Sequence, residues 1–209
     1  MTHEVTFDLL PSLLRRGVRV AALQEAGDIP ADPGYARLAA GGVLHRVAPG
    51  YYAILRSEHI GSDWVPDVEA VSWGIAAADD GPRSVALMGL SAARVHGTLA
   101  DAIDVAVVAT TRNRPTLRLT DRTATVSFVR RDPDRLKIER YSGALGSGWV
   151  TTVEQTLLDL AAYPQLGGRP DLAEDGITGL IDKADPHVLY SLAGAQRRLG
   201  ALDRILQHV

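Results

Sequence analysis

The stretch from Gly41 to Ile54 constrains the fold of this chain more than any other part of the sequence. Residues 43–47 alternate as in a half-buried strand, and the Pro49–Gly50 pair that follows is typical of a tight turn. The pattern predicts an antiparallel ribbon with strands over residues 43–47 and 51–55. The segments that precede the ribbon then indicate which fold it belongs to.

Apolar residues recur at helical spacing in three short segments before the ribbon. The first covers residues 7–14, the second covers residues 18–26, and the third covers residues 33–40. Asp32 is placed as the N-cap of the third helix, and Pro33 stands at its first position, where a backbone N–H is not needed. Three helices followed by a hairpin is the layout of a winged helix-turn-helix, a fold that usually binds duplex DNA.

The third helix and the ribbon carry the candidate contacts to DNA. In a winged helix the third helix enters the major groove, and the hairpin contacts the backbone or the minor groove beside it. Leu38 has the position of a core residue, which leaves its neighbours on the third helix to face outward, and basic side chains on the ribbon suit phosphate contacts. The alternative for each of these side chains is an ordinary solvated or packing role. The predicted DNA-binding residues of this region are Arg19, Tyr35, Arg37, His45 and Arg46.

The composition excludes several classes of protein. The chain has 209 residues and no cysteine, which rules out disulfides and thiolate metal sites. No apolar run approaches the roughly 20 residues of a membrane span, and the first residues lack the charged and apolar regions of a signal peptide. We therefore expect a cytoplasmic globular protein that has no membrane partner.

Positive charge is concentrated in the middle of the chain. Residues 112–140 contain eight arginines and Lys137 against four acidic residues, a net charge of +5, whereas the whole chain has a net charge of −3. Such asymmetry favours an anionic partner, and we predict that Arg112 and Arg114 add DNA backbone contacts. The wider basic segment would otherwise bind an acidic face of a protein partner, or it is ordinary arginine-rich strand surface. Its other candidate members are Arg118, Arg122, Arg130 and Arg131.

The remainder of the chain alternates short strand patterns with helical patterns. We predict strands over residues 85–88, 104–109, 116–119 and 123–129, a loop over residues 143–148, and helices over residues 66–78, 91–96, 153–162, 170–183, 186–199 and 201–207. Ser91, Thr151 and Asp185 are placed as helix N-caps. The predicted fold class is α+β. An N-terminal winged helix-turn-helix over residues 1–57 precedes a mixed α/β domain over residues 58–209, with a small sheet and C-terminal helices.

Four segments in this order resemble the AbiEi family, the antitoxins of AbiE-type toxin–antitoxin systems that act in phage defence. The segments are Gly41-Gly-Val-Leu-His-Arg-Val with Pro49-Gly-Tyr-Tyr52, Leu90-Ser-Ala-Ala-Arg-Val-His-Gly97, Val150-Thr-Thr-Val-Glu-Gln-Thr-Leu-Leu-Asp159 and Gln196-Arg-Arg-Leu-Gly200. The resemblance implies a winged helix that binds its own promoter DNA and represses its operon. It also implies a larger C-terminal domain that neutralises a nucleotidyltransferase-like toxin.

The chain departs from the family's pattern on the DNA-facing side. Members commonly have a basic residue just before the Gly-x-Tyr of the wing and further basic residues on the third helix. Here Ala48 and Pro49 precede Gly50, and the third helix carries only Arg37. A single copy would neutralise few phosphates, so we expect two copies on a two-fold DNA site, or help from residues 112–140.

The sequence also offers one candidate catalytic pattern, in which Ser91 precedes Asp104. Nucleotidyltransferases need two carboxylates on the strand that follows a Gly-Ser turn, because both hold Mg²⁺ on the nucleotide phosphates. The position of the second carboxylate is Ala106, and no two histidines have the spacing of metal ligands. We therefore expect no enzymatic activity, no metal and no cofactor. Two alternatives remain: an antitoxin that binds only protein and has a vestigial winged helix, and a catalytically dead nucleotidyltransferase-like protein.

Overall fold

The computed structural model describes residues 19–22, 33–99 and 104–208, and these residues form an α+β fold with two sheets. The strands are β1 (Val20–Ala22), β2 (Leu44–Ala48), β3 (Tyr51–Ile54), β4 (Val85–Leu87), β5 (Val105–Thr110), β6 (Leu117–Arg118), β7 (Thr125–Arg130), β8 (Ile138–Gly143) and β9 (Gly146–Thr151). The helices are α1 (Pro33–Ala40), α2 (Val68–Asp80), α3 (Gly89–Val95), α4 (Val153–Ala162), α5 (Pro170–Ile181), α6 (Pro186–Ala195) and α7 (Leu199–Leu206). In the described part of the chain, no helix combines the length and the apolar character that crossing a membrane requires.

The predicted ribbon is confirmed as the β2–β3 hairpin of a three-stranded antiparallel sheet with the order β1-β3-β2. Gly50 has a φ of 76° in the turn, a conformation that suits glycine because it has no Cβ. The helix predicted before the ribbon is confirmed as α1. It ends in a compact turn in which the N–H of Val43 donates to the carbonyl of Leu38 at 2.9 Å, so α1 leads directly into β2.

The prediction of a helix over residues 18–26 is wrong for the described residues 20–22, which form strand β1. Val20 lies opposite Ala53 of β3, and its side chain is only 3% exposed because it packs against Gly74 of α2. Pairing with β3 therefore overrides the short helical pattern, as tertiary contacts often do for β-branched residues. The first predicted helix, the rest of the second and the Asp32 cap lie outside the described residues.

The second sheet has six strands in the order β6-β7-β5-β4-β9-β8 and is larger than the small sheet that we predicted. All residues of β5 are buried, since alternate side chains point into the layers on its two faces. The four strands expected from the apolar patterns are confirmed to within about two residues. The prediction of a loop over residues 143–148 is wrong, because most of these residues belong to the β8–β9 hairpin. Glycines 143 and 148 leave room for the ring of Tyr141, which rests across the hairpin.

Two layers cover the faces of this sheet. Helix α2 and the three-stranded sheet lie on one face, where Val20, Val47 and Ala53 share a single buried cluster with Val71 and Val108. Helices α3 to α7 form a second cluster on the other face. The two regions that we predicted as separate domains therefore share a hydrophobic core along α2.

Several helix boundaries differ from the prediction, and three of the differences fall at a predicted cap or helix end. Ser91 does not cap a helix, because α3 begins at Gly89 and the buried Ser91 hydroxyl instead accepts a hydrogen bond from the N–H of Val107 at 2.9 Å. The cap of α4 is Thr152 rather than Thr151, one residue later than predicted. The helix expected over residues 186–199 ends at Ala195, and Arg197 has a φ of 54° in the break before α7. Asp185 is confirmed as the cap of α6.

We predict that Gly74→Ala destabilises the protein although alanine favours helices. A Cβ at this position would lie well inside contact distance of the Val20 side chain, and such overpacking costs about 1–3 kcal/mol, more than the roughly 1 kcal/mol gained in helix propensity. Chemical denaturation would measure the free energy of unfolding of Gly74→Ala, Val20→Ala and the double variant. Because Val20→Ala removes the methyl group that would make the closest contact, the double variant should be more stable than the sum of the two effects allows. Additive effects would contradict the packing of β1 on α2.

Candidate nucleic-acid interface

Helix α1 and the β2–β3 hairpin form one packed unit with two exposed arginines. Leu38 is 1% exposed and anchors α1 against β2, whereas Arg37 in the last turn of the helix is exposed. Leu44 and Val47 are buried on β2, and Arg46 between them is exposed. A helix and a ribbon with basic side chains on their outer surface are the parts with which a winged helix contacts a groove and the adjacent phosphates.

The other two predicted residues of this unit occupy different places. Arg19 immediately precedes β1, where it is half-buried and its carbonyl accepts a hydrogen bond from the N–H of Ile54 at 2.7 Å. Since β1 and β2 flank β3, Arg19 and Arg46 lie at opposite edges of the small sheet. Tyr35 lies on α1, two residues before Arg37.

His45 is held by the rest of the protein. Its Nε2 lies 2.9 Å from Oδ2 of Asp121, whose side chain is only 4% exposed, and Arg122 pairs with the same carboxylate at 2.7 Å. Burial raises the pKa of Asp121, but the hydrogen bonds from Arg122 and His45 outweigh burial and hold it below its usual value. The N–H of Thr120 also donates to the carbonyl of Val47 at 2.9 Å. These contacts fix β2 to the turn between β6 and β7.

Arg112 and Arg114 pair with acidic residues at the C-terminal end of α2. Arg112 binds Asp80, and Arg114 pairs with Asp79 at 2.6 Å while its guanidinium lies 4.0 Å from the ring centre of Phe128. Carboxylates at a helix C-terminus oppose the helix dipole, so these arginines offset an unfavourable arrangement. The structure therefore assigns both side chains a stabilising role, although the Arg112 side chain remains 62% exposed.

Asp79 of this acidic pair also binds the β2–β3 hairpin through Tyr51, the first residue of β3. The Tyr51 hydroxyl donates to Asp79 at 2.6 Å, and Arg114 donates to the Tyr51 oxygen at 3.3 Å. Burial and then the hydrogen bond to Asp79 raise the pKa of Tyr51 to about 12, so its hydroxyl remains a donor at neutral pH. Both strands of the hairpin are thus attached to the larger sheet or to α2.

The remaining arginines of the basic segment point to different partners. Arg122 pairs with Asp121 and also donates to the carbonyl of Pro66 at 2.6 Å. Arg131 lies 4.8 Å from the ring centre of Tyr163 at the end of α4. Arg118 and Arg130 are exposed on β6 and β7. The segment is therefore spread over several surfaces instead of forming one continuous anion-binding patch.

The residues of the candidate catalytic pattern are not brought together in a site. Ser91 is buried inside α3, whereas the Asp104 side chain is 64% exposed and lies 3.8 Å from Arg169. Among the described residues, no three histidine, aspartate or glutamate side chains are grouped as a metal site would require. No protein-family model matches this chain, and no curated protein matches it.

The residues that anchor the β2–β3 hairpin to the rest of the protein were not identified from the sequence. Asp121 lies 76 residues from His45, and Asp79 lies 28 residues from Tyr51, so no local spacing relates the partners. The one available signal is that the adjacent acids Asp79 and Asp80 stand at the end of a predicted helix, where carboxylates need neutralising partners.

We predict that Asp121→Asn lowers the free energy of unfolding by about 1–3 kcal/mol at pH 7, the usual cost of weakening hydrogen bonds to a charged group. A carboxyl whose pKa is depressed on folding contributes stability above its unfolded pKa, and that contribution is lost as the pH falls through the folded value. The difference between variant and parent should therefore shrink below about pH 4. Denaturant unfolding from pH 3 to 7 measures it, with the exposed Asp134→Asn as the control. Identical behaviour of the two variants would contradict the anchoring role of Asp121.

Proposed function

We propose that this protein binds duplex promoter DNA through its N-terminal unit, represses its own operon and neutralises a nucleotidyltransferase-like toxin in the cytoplasm. The observation that carries the proposal is the packing of α1 on the β2–β3 hairpin with Arg37 and Arg46 exposed on its surface. In this proposal residues 1–57 form a winged helix-turn-helix and residues 58–209 form the antitoxin domain. The protein has no catalytic activity of its own.

The small number of exposed arginines on α1 and the hairpin determines how many copies of the protein are needed to bind DNA. With about two phosphates neutralised per copy, the logarithm of the binding constant would fall with a slope near −2 against the logarithm of the salt concentration. Two copies on a two-fold site would give a slope near −4 and a correspondingly higher affinity. We therefore infer that two copies bind together, each placing α1 in the major groove and the hairpin beside it.

The toxin would bind on the opposite face of the six-stranded sheet. Helix α6 contains no charged residue, and it exposes Tyr190 by 51% and Val188 by 37%. Exposed aromatic and aliphatic side chains on an uncharged helix are typical of a protein interface. Because α6 packs in the core cluster on the side away from the wing, DNA and toxin would be bound at the same time.

One observation favours the alternative of an antitoxin that binds only protein. His45, Arg112 and Arg114, which we predicted as DNA contacts, are engaged with Asp121, Asp80 and Asp79. If Arg37 and Arg46 are insufficient for binding, the wing is a structural part of the antitoxin domain.

We predict that the protein prefers the DNA directly upstream of its own gene to scrambled DNA of equal length. Arg37→Ala and Arg46→Ala should each weaken this binding about tenfold, the usual effect of losing an arginine contact to DNA. Fluorescence anisotropy at salt concentrations from about 50 to about 200 mM measures the affinity for DNA and the slope of its salt dependence. Arg204→Ala on α7, an exposed arginine on the opposite face, is the matched control and should bind like the parent. Equal affinity for both DNAs at low salt would reject the repressor and leave the alternative.

Toxin neutralisation is tested separately by co-expression with the nucleotidyltransferase-like protein of the same operon. Tyr190→Asp places a charge in the proposed apolar contact, so it should abolish growth rescue while leaving DNA binding unchanged. Arg37→Ala should do the reverse, because Arg37 lies on the other face. A Tyr190→Asp variant that still rescues growth would remove α6 from the toxin interface.

A further inference from the structure

Three polar side chains follow one another along the same face of α4 and meet the break between α6 and α7. Gln155, Asp159 and Tyr163 are each four residues apart, and Tyr163 is the last of them, at the C-terminal cap. Gln155 and Gln196 exchange two amide hydrogen bonds, at 2.6 and 3.3 Å. The fully buried carboxylate of Asp159 accepts from Nη1 of Arg198 at 2.6 Å. These contacts fix the break between α6 and α7 against α4.

Tyr163 has two guanidinium groups beside its ring. The Cζ atom of Arg198 lies 5.5 Å from the ring centre, and the Cζ atom of Arg131, which follows β7, lies 4.8 Å from it. The Tyr163 side chain is itself exposed, so the cluster lies at the protein surface. Stacking on an aromatic ring restrains a guanidinium but leaves its N–H groups, which lie in its own plane, available to a hydrogen-bond acceptor. Both cations are therefore already oriented at this surface.

Arg131 is the cation of this cluster whose side-chain donors lack an acceptor. It is half-buried, and its charge lies near enough to Asp159 to favour the ionised carboxylate. Among the described residues, however, no carboxylate lies within ion-pair distance of its guanidinium. The neighbouring acid, Asp132, caps the short turn that follows and pairs with Arg135 at 3.5 Å. The five N–H donors of the Arg131 guanidinium are thus open to a ligand from solvent.

A third arginine occupies a backbone position that suits glycine. Arg197 is exposed and has a φ of 54°, and it is the one described residue other than glycine with a positive φ. Its N–H donates to the carbonyl of Gly194 at 3.1 Å, as at the end of many helices, and glycine would make the same bond without strain. Strained residues of this kind are concentrated at functional sites. The presence of a third cation here, next to Arg198, therefore favours a role for its charge.

The formal charge of this surface indicates which class of ligand fits it. Arg131, Arg197 and Arg198 contribute three positive charges against the one negative charge of Asp159. Guanidinium groups bind phosphate and carboxylate oxygens through pairs of N–H donors. A phosphate monoester has a charge close to about −2 at neutral pH and three acceptor oxygens, whereas a carboxylate or a phosphate diester has a single negative charge. The monoester is therefore the anion that matches the excess positive charge.

We propose that Arg131, Arg197 and Arg198 bind the phosphate monoester group of a small molecule beside Tyr163. Arg131 donates a pair of N–H groups to two phosphate oxygens, and the N–H groups of Arg198 that Asp159 does not engage donate to the third. Because Arg131 and Arg198 are restrained by Tyr163, little side-chain entropy is lost on binding. Helices α4, α6 and α7 lie on the face of the six-stranded sheet away from the hairpin, so the proposal depends on neither DNA nor toxin binding.

The test uses methyl phosphate as the monoester, with dimethyl phosphate and acetate as anions of single charge. Isothermal titration calorimetry at constant ionic strength and about pH 8 measures binding to the full chain, because the monoester is a dianion well above its second pKa of about 6. We expect one saturable site for methyl phosphate, and binding of dimethyl phosphate and of acetate that is at least tenfold weaker. Equal affinity for dimethyl phosphate would indicate a surface for nucleic-acid backbone and would overturn the proposal.

Two substitutions locate the site. Arg131→Gln should weaken the binding of methyl phosphate at least tenfold, and Arg131→Lys should also weaken it, because lysine keeps the charge but not the planar pair of donors. Arg197→Gly should weaken binding severalfold while the protein remains folded, because glycine adopts the left-handed conformation without strain. Arg198 is left intact in these experiments, since its loss would leave the buried Asp159 without its partner.

Arg130→Gln is the matched control. Arg130 is exposed at the end of β7, and successive side chains of a strand point to opposite faces, so this variant should bind methyl phosphate like the parent protein. Circular dichroism identifies any loss of folding, and Arg197→Gly keeps the test decisive if Arg131→Gln does not fold. Absence of methyl phosphate binding to the parent protein would overturn the proposal. Unchanged binding to folded Arg131→Gln, or to Arg197→Gly, would overturn it as well.

Discussion

The packing of helix α2 between the two sheets is the constraint on which the rest of the structure depends. Every residue from Val68 to Ala77 is buried, which is unusual for a helix of a globular protein, where one face normally meets water. One side of α2 receives β1, where Gly74 lets Val20 approach the helix backbone, and other residues pack against the six-stranded sheet. The buried residues of the small sheet therefore belong to the same hydrophobic cluster as those of α2.

Because the middle of α2 is apolar and buried, its charged side chains lie at its two ends. At the C-terminal end Asp79 and Asp80 bind Arg112, Arg114 and Tyr51, and these contacts attach the hairpin. At the N-terminal end Asp67 caps the helix and Glu69 pairs with Arg94. The contacts at the C-terminal end hold the β2–β3 hairpin against α2.

Arg122 connects the segment before α2 to the β2–β3 hairpin. It donates to the carbonyl of Pro66 and pairs with Asp121, which in turn binds His45 on β2. A continuous chain of charged and hydrogen-bonded groups thus runs from Pro66, two residues before α2, to the hairpin.

The sequence by itself determined the elements whose signals are local. The Pro49–Gly50 turn, the apolar run of β5 and the Asp185 cap each depend on neighbouring residues, so the hairpin, the central strand and α6 could be predicted. Only the tertiary structure decided the elements and contacts that depend on distant partners. Residues 20–22 became a strand because β3 offered an edge, and residues 146–151 became a strand that pairs with the distant β4 as well as with β8. His45, Arg112 and Arg114 are residue types that often contact DNA, but acids 32 to 76 residues away engage them, and no local pattern encodes such pairs.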